Sequence, residues 1–162
     1  VKLNNNEIKH IDLLSKNKYL SSLSAGANPL ILEESTFSKG FDSLKFLNLY
    51  SCGIKSLPES IGNLSQLVSL KLPKNQIEQL PRSLGKLDSL IGLILYENNL
   101  TELPSQIFSM KNLIHLDIYY NQVKEIPEEI GKMSSLEEVY FSYNKLEKLP
   151  GYFGLTVPVI SE

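Results

Sequence analysis

The side chains that could perform covalent or metal chemistry are few and lie far apart in the sequence. Cys52 is the only cysteine, so it has no thiol partner within the chain. His10 and His115 have no cysteine or further histidine at the spacing of a metal site. Neither glycine pattern of a phosphate-binding loop, GxGxxG or GxxxxGK followed by Ser or Thr, occurs. Because no nucleophile, base and orienting group recur together, we expect no enzyme, no metal and no cofactor.

The charge balance argues against two further classes of partner. Lys plus Arg is 16 and Asp plus Glu is 18, which gives a net charge of -2 with both signs scattered along the chain. Without a basic stripe, the sequence predicts no binding to nucleic acid. No apolar run approaches the roughly 18 to 20 residues of a membrane helix, so we also expect no membrane insertion.

Tyrosine supplies the remaining candidate chemistry, which is recognition and not reaction. Its ring offers a large contact area with little rotamer entropy, and its hydroxyl forms hydrogen bonds at the edge of an interface. The chain has 8 tyrosines and no tryptophan. What these tyrosines can do depends on the elements that position them.

A repeated pattern determines those elements. The pattern Leu-x-x-Leu-x-Leu-x-x-Asn-x-Leu-x-x-Leu-Pro-x-x-Leu-Gly-x-Leu occurs three times in succession, from Leu67, Leu90 and Leu113, with Ile, Val, Met or Phe at some apolar positions. A fixed period of 23 residues, with Asn nine places into each copy, is the signature of a leucine-rich repeat solenoid. Alignment outward from these copies divides residues 1–162 into one domain of about seven coils and a tail.

The coils are not equally regular. The copy at 20–43 is degenerate, with Glu33 and Glu34 where Leu-Pro is expected. The tail contains apolar, β-prone residues that either cap the last coil or begin another. The predicted units are a partial coil at 1–19, the degenerate coil at 20–43, coils at 44–66, 67–89, 90–112, 113–135 and 136–156, and the tail at 157–162.

Simple stereochemistry converts the pattern into an α/β fold. Leu-x-Leu alternates with period two, so both leucines point inward from a short strand. About 18 residues separate successive strands, so each chain return is a right-handed crossover and the strands are parallel. The sheet is expected on the concave face of the solenoid. Proline at 58, 81, 104, 127 and 150 predicts 3₁₀ turns or extended segments on the convex face.

An asparagine recurs just after each predicted strand. We expect these side chains to be buried and to bond to the backbone where the strand turns away. Cys52 takes the same place in its coil, which favours a buried thiol over a nucleophile. The recurring Gly62, Gly85, Gly131 and Gly154 are interpreted as turn residues. The predicted ladder is Asn6, Asn28, Cys52, Asn75, Asn98, Asn121 and Asn144.

Residues that point outward from the strands, and those just after them, form columns across the concave face. Of 24 such positions, six hold tyrosine, although about one would be expected from their share of the chain. One interpretation is that tyrosine simply suits strand positions; the other is a contiguous aromatic binding patch. The candidate partner-binding residues are Phe46, Tyr50, Lys71, Ile94, Tyr96, His115, Asp117, Tyr119, Tyr120, Glu138, Tyr140 and Tyr143.

The segments 57–64, 80–87 and 126–133, with their Leu-Pro-x-x-Ile-Gly-x-Leu ending, resemble the 23-residue class of leucine-rich repeats. That class occurs in Ras-associated scaffolds, plant intracellular relatives and many bacterial proteins, notably those of pathogenic spirochaetes. The resemblance implies protein recognition by the concave face. For bacterial members it implies a secreted or surface-exposed protein that engages host proteins, and it favours that location over the cytoplasm.

We therefore predict a non-enzymatic module that binds a protein or peptide partner on its tyrosine-rich concave face. The neighbouring His115, Asp117, Glu97 and Glu138 favour a partner with apolar and basic features. One alternative is a scaffold that self-associates through the solenoid ends, where residues 157–160 could pair edge to edge in a homodimer. The other is the recognition arm of a larger enzyme or receptor. Carbohydrate binding through the tyrosines also remains open.

Overall fold

A computed structural model describes residues 1–151 of the chain, which form a stack of coils with one strand per complete coil. Each strand is three residues long and pairs in parallel with the strand of the next coil, in the order of the sequence. The predicted parallel sheet of an α/β solenoid is confirmed. The strands are β1 (Ser22–Ser24), β2 (Phe46–Asn48), β3 (Ser69–Lys71), β4 (Gly92–Ile94), β5 (His115–Asp117) and β6 (Glu138–Tyr140).

The register places equivalent residues of successive coils side by side. Leu70 of β3 pairs with Leu93 of β4, and Leu93's other neighbour is Leu116 of β5. These three central leucines are fully buried, while the residues on either side of each are at least partly exposed. Alternation with period two therefore puts one side chain of each strand in the core and two on the concave face.

Five coils return through a 3₁₀ helix, and the degenerate coil at 20–43 returns through turns alone. The helices are η1 (Asp12–Lys16), η2 (Glu59–Asn63), η3 (Arg82–Lys86), η4 (Ser105–Ser109) and η5 (Glu128–Lys132). Helices η2 to η5 each follow a proline with extended backbone, because proline's fixed φ suits the residue before a helical turn and its missing N–H bars it from a sheet. Successive helices η2 to η5 stack on one another across the convex side.

The degenerate coil keeps its core by exchanging leucine for phenylalanine. Phe37 and Phe41 are buried, and their ring centroids lie 5.8 Å apart. Phe37 takes the place that Ile61 holds in the next coil. Phe41 accommodates the extra residue of this 24-residue copy with a left-handed backbone, φ 59°. The loss of the Leu-Pro pair therefore leaves no gap in the apolar stack.

The recurring glycines have a different role from the one predicted. Gly62 and Gly85 lie inside η2 and η3, so they are not turn residues. A Cβ on Gly62 would lie 2.6 Å from the backbone oxygen of Ser83 in the next coil, and a Cβ on Gly85 would lie 2.6 Å from the Cβ of Gln106. These glycines are required because adjacent coils approach each other closely there. Phe108 replaces the glycine in η4, and η4 and η5 pack less closely than the helices before them.

The last coil is only partly covered within the described chain. Leu149, which the repeat assigns to an inward position, is 54% exposed because no described coil packs on it. The predicted tail at 157–162 and the end of the coil at 136–156 lie outside the described residues, as does Gly154. No helix in residues 1–151 is both long and apolar enough to cross a membrane.

Candidate partner-binding surface

The asparagines shape the exit of each strand toward the candidate surface. Asn98 donates from Nδ2 to the backbone oxygens of Leu95 in its own coil and Leu72 in the preceding coil, both at 3.0 Å. Its Oδ1 accepts the N–H of Ile77 at 3.0 Å. Asn75 and Asn121 form the same bonds one coil away on either side, so each amide joins neighbouring coils where the strand ladder ends.

The members at the two ends of this ladder are less buried. Asn144 keeps its bonds to Ile118 and Phe141 but is only half-buried. Asn6 bonds only within its own coil and is exposed, so the expectation of burial is wrong for this residue. No described coil precedes Asn6, and the amide therefore has nothing to cover it.

Cys52 stands in the ladder as a weak donor. Its Sγ lies 3.4 Å from the backbone oxygens of both Ala25 and Tyr50. A thiol cannot accept strongly from the preceding coil, and there the N–H of Leu30 donates instead to the backbone oxygen of Asn28 at 2.8 Å. Burial raises the pKa of the Cys52 thiol, which keeps it protonated and makes it a poor nucleophile.

A left-handed residue precedes the ladder position in every coil, which the sequence pattern did not predict. All of these residues have φ between 52° and 59°, although none is glycine. The backbone N–H of this residue donates to the next coil, as from Glu97 to Tyr119 at 2.9 Å, which extends the ladder past the strand. Its side chain consequently projects at the edge of the sheet. The set is Asn5, Ala27, Ser51, Lys74, Glu97, Tyr120 and Tyr143.

Three tyrosines of neighbouring coils meet at this edge, and we call Tyr119, Tyr120 and Tyr143 the tyrosine cluster. Their ring centroids are 5.2 Å apart for Tyr119 and Tyr143, 5.9 Å for Tyr120 and Tyr143, and 6.2 Å for Tyr119 and Tyr120. The closest pair is edge-on, an arrangement that aromatic quadrupoles favour. Tyr120 is 54% exposed and Tyr143 is 62% exposed. The cluster is therefore a packed aromatic surface that remains accessible.

Polar side chains of β5 and β6 lie beside the cluster. Nδ1 of His115 is 2.9 Å from Oε2 of Glu138, and the Tyr140 hydroxyl donates to the same oxygen at 3.4 Å. Asp117 accepts the backbone N–H of Tyr119 at 3.0 Å. Desolvation raises the pKa of the Asp117 carboxyl, partly offset by that hydrogen bond, and desolvation followed by the charge of Glu138 raises the pKa of Tyr140.

The remaining candidate residues lie further along the same face. Tyr96 is half-buried in the coil before Tyr119. The ring of Tyr50 lies directly over Gly26, where a Cβ would overlap it. Phe46 and Lys71 are exposed on β2 and β3, and Ile94 is half-buried on β4. The structure therefore brings the candidates of β5 and β6 together and leaves those of β2 and β3 at the other end of the sheet.

Carboxylates that cap the 3₁₀ helices were also missed by the sequence pattern. Glu34 accepts the backbone N–H groups of Glu59 and Ser60 at 3.0 and 2.9 Å. Glu59 in turn accepts the N–H of Ser83 at 3.0 Å. Hydrogen bonds from Ser83 are the main cause that lowers the pKa of Glu59. A glutamate at or just after the proline position was the available signal, because the first N–H groups of a helix attract acceptors.

Within residues 1–151, no group of three or more His, Cys, Asp or Glu side chains is arranged to hold a metal ion. A family model described as a leucine-rich repeat region matches residues 36–113 and 70–148. The chain belongs to the leucine-rich repeat family. No curated protein sequence matches it, so the family assignment rests on the repeat model and on solved structures.

Three solved structures show the same solenoid. A leucine-rich repeat protein of Leptospira interrogans is 25% identical, with a TM-score of 0.68 over 93% of this chain and 50% of that one. An internalin of Listeria monocytogenes is 23% identical, with a TM-score of 0.75 over 88% of this chain and 39% of that one. TLR13, solved in complex with ssRNA13, is 31% identical, with a TM-score of 0.77 over 88% of this chain and 21% of that one.

This leucine-rich repeat chain thus spans about half the length of the Leptospira protein and less of the other two. The family and its structural neighbours support a protein-binding module in general.

Proposed function

We propose that this chain is a non-enzymatic module that binds a protein or peptide partner through the tyrosine cluster and the adjoining residues of β5 and β6. The observation that carries the proposal is the accessible contact among Tyr119, Tyr120 and Tyr143, whose ring centroids lie 5.2 to 6.2 Å apart. Aromatic rings that are already packed lose little further entropy on binding, and tyrosine is enriched among residues that dominate interfaces.

The neighbouring charges favour a partner with basic as well as apolar side chains. Asp117 and Glu138 lie on the strands next to the cluster, and each is only half-buried. Glu97, one coil before Tyr120, is 3.6 Å from Lys74 and is paired with it. Glu138 is likewise held by His115. A lysine or arginine of the partner could lie on the tyrosine rings, where the face of the ring attracts cations, and reach Asp117.

A pull-down with matched variants tests the proposal. The test protein carries Tyr96→Ala, Tyr119→Ala, Tyr120→Ala and Tyr143→Ala, and the control carries Tyr19→Ala. Tyr19 is 90% exposed and lies outside the concave columns, so its loss removes an exposed tyrosine without touching the cluster. Far-ultraviolet circular dichroism and a melting curve first establish that both variants fold.

We expect a partner that is retained by the wild type and the Tyr19 control and is lost from the quadruple variant. Equal retention by all three proteins would refute the tyrosine cluster as the binding surface. We keep the prediction that nucleic acid does not bind, although TLR13 was solved with an RNA. A filter-binding assay with single-stranded RNA checks it, and retention of the RNA at physiological salt would contradict it.

Two alternative functions suit a chain that spans part of the length of its structural neighbours. The first is self-association through the solenoid ends, and the second is service as the recognition arm of a larger enzyme or receptor. A bacterial origin is the setting that the Leptospira and Listeria neighbours favour. A secreted or surface location is the part of the proposal that follows from the resemblance of the repeats alone. If the complete reading frame encoded a catalytic domain, the second function would replace the stand-alone module.

A further inference from the structure

The residues that precede β2 to β6 lie at the rim of the sheet, away from the tyrosine cluster. Ser21, which precedes β1, is uncharged and lies one coil beyond them, where its backbone oxygen accepts the N–H of Lys45 at 2.8 Å. Backbone hydrogen bonds align these residues coil by coil, from the N–H of Val68 to the oxygen of Lys45 at 2.8 Å through to the N–H of Glu137 and the oxygen of Ile114 at 2.9 Å. We call this set the rim column. It consists of Lys45, Val68, Ile91, Ile114 and Glu137.

The middle of the rim column is apolar and accessible. Ile91 is 37% exposed, and Val68 and Ile114 are half-buried. A shallow groove runs along this rim between Ile91, Ile114 and the polar residues beside them. These three side chains lie two residues before the buried leucines of β3, β4 and β5, yet they remain partly exposed at the rim.

The two ends of the rim column carry opposite charges that have no partner in residues 1–151. Lys45 and Glu137 are both exposed, and neither forms an ion pair there. They are four coils apart, which is about 19 Å at the usual strand spacing of about 4.8 Å. They therefore cannot pair with each other within one molecule.

Along the rim column, the five residues are basic, apolar, apolar, apolar and acidic in turn. A second copy of the column that runs in the opposite direction therefore complements it. We propose that the rim column is a self-association surface, on which a second copy of this chain packs in the opposite direction about a two-fold axis at Ile91. In this arrangement Lys45 meets Glu137 of the second copy, and Glu137 meets Lys45. Val68 meets Ile114, and Ile91 meets its own equivalent.

This symmetry is what an isologous interface requires, since each residue must find its complement on the same surface. The polar margin follows the same rule, because the exposed amides of Gln66 and Asn112 lie one coil to either side of Ser89. The packing leaves the tyrosine cluster open and turns both concave faces in the same direction. It is thus independent of the proposed function and differs from pairing through the solenoid ends.

The rim is small, so the dimer is weak. Five coils give a strip about 20 Å long, which is less surface than the roughly 800 Å² per partner of a standard interface. Sedimentation velocity of the 162-residue chain from about 10 μM to 1 mM covers the corresponding range of affinity. We expect a concentration-dependent monomer to dimer equilibrium that weakens as salt is added.

Charge reversal tests the pairing itself. Lys45→Glu or Glu137→Lys alone converts two symmetric ion pairs into like-charge contacts, and we expect a rise of about tenfold or more in the dimer Kd. The double variant Lys45→Glu with Glu137→Lys should recover the wild-type Kd. An equal mixture of the two single variants should form a heterodimer, since each supplies the charge that the other lacks.

Ile91→Lys places two positive charges on the axis and should abolish the dimer. Ile31→Lys is the matched control, because Ile31 is 48% exposed and lies off the rim column. Circular dichroism checks that every variant folds. A wild type that stays monomeric at the highest concentration would overturn the proposal. So would a double reversal that fails to restore the dimer, or an equal loss from Ile31→Lys.

Discussion

Removal of one ladder amide should cost far more stability than its size suggests. In Asn98→Ala, the N–H of Ile77 loses its acceptor and has no other partner within residues 1–151. The carbonyls of Leu72 and Leu95, which are the closest acceptors of the Asn98 amide, are less affected. The oxygen of Leu72 keeps a bond from Asn75 at 2.9 Å, and the oxygen of Leu95 keeps one from Asn121 at 3.0 Å. Each carbonyl therefore serves two amides.

The magnitude follows from this inventory. One buried N–H left unpaired costs about 1 to 3 kcal/mol, and two lost second bonds to carbonyls add about 0.5 to 1 kcal/mol each. We therefore expect Asn98→Ala to lower the free energy of unfolding by about 2 to 5 kcal/mol. Urea unfolding, followed by circular dichroism at equal protein concentration, measures the loss.

The neighbouring asparagine supplies the control. Asn99 is exposed, and its side chain makes no hydrogen bond within residues 1–151, so Asn99→Ala should change stability by less than about 0.5 kcal/mol. If Asn98→Ala cost less than about 1 kcal/mol, or no more than Asn99→Ala, the ladder would not hold neighbouring coils together. The account of how strands exit toward the candidate surface would then fail.

Three further perturbations test separate parts of the fold. Leu93→Ala should cost about 2 to 5 kcal/mol in urea unfolding, because the side chain is fully buried between coils, and a loss below about 1 kcal/mol would contradict its inward orientation. Gly62→Ala should lower the melting temperature and the free energy of unfolding, the latter by about 1 to 3 kcal/mol, because the new Cβ would lie 2.6 Å from the backbone oxygen of Ser83. An unchanged melting temperature would mean that the two coils can move apart without cost. Because the pKa of Glu59 is lowered, its carboxylate stabilises the fold above the ordinary glutamate pKa of about 4.3, and this contribution is lost as the pH falls below that value. Glu59→Gln should therefore lose less stability than the wild type in thermal melts between about pH 5 and pH 3. Parallel pH dependence of the two melting temperatures would exclude a stabilising role for the Glu59 cap.

The repeat made most of the fold predictable, because its period is tied to a unit that cannot bury its apolar face alone. Three regular copies were enough to place Leu70, Leu93 and Leu116 in one core. The prolines were enough to place η2 to η5, but not η1, which follows Ile11. The pattern failed where a residue's role depends on the adjacent coil. Gly62 looked like a turn residue, because only the structure reveals the backbone of Ser83 beside it.

The candidate surface was predictable in position and not in geometry. Outward alternation put Tyr119, Tyr120 and Tyr143 near one another, yet contacts among the three rings depend on the left-handed backbone at Tyr120 and Tyr143. Apart from Asn5, the side chains at that column give no sign of a positive φ, since they are Ala, Ser, Lys, Glu and Tyr. The rim column was not predictable for a related reason, because alternation assigns residues to the two faces of a sheet and does not identify its rim.

That indifference of the left-handed column to its side chain has an evolutionary consequence. The ladder bonds that impose the conformation come from backbone and asparagine groups, so a mutation at this column alters chemistry at the sheet edge without a matching change in the scaffold. In the six successive coils from Ala27 to Tyr143, the residue at this column can therefore be substituted independently in each coil. Duplication or deletion of one 23-residue repeat would move the tyrosines of the cluster by one coil relative to the other residues of the concave face. Such a protein can change partners faster than it changes shape.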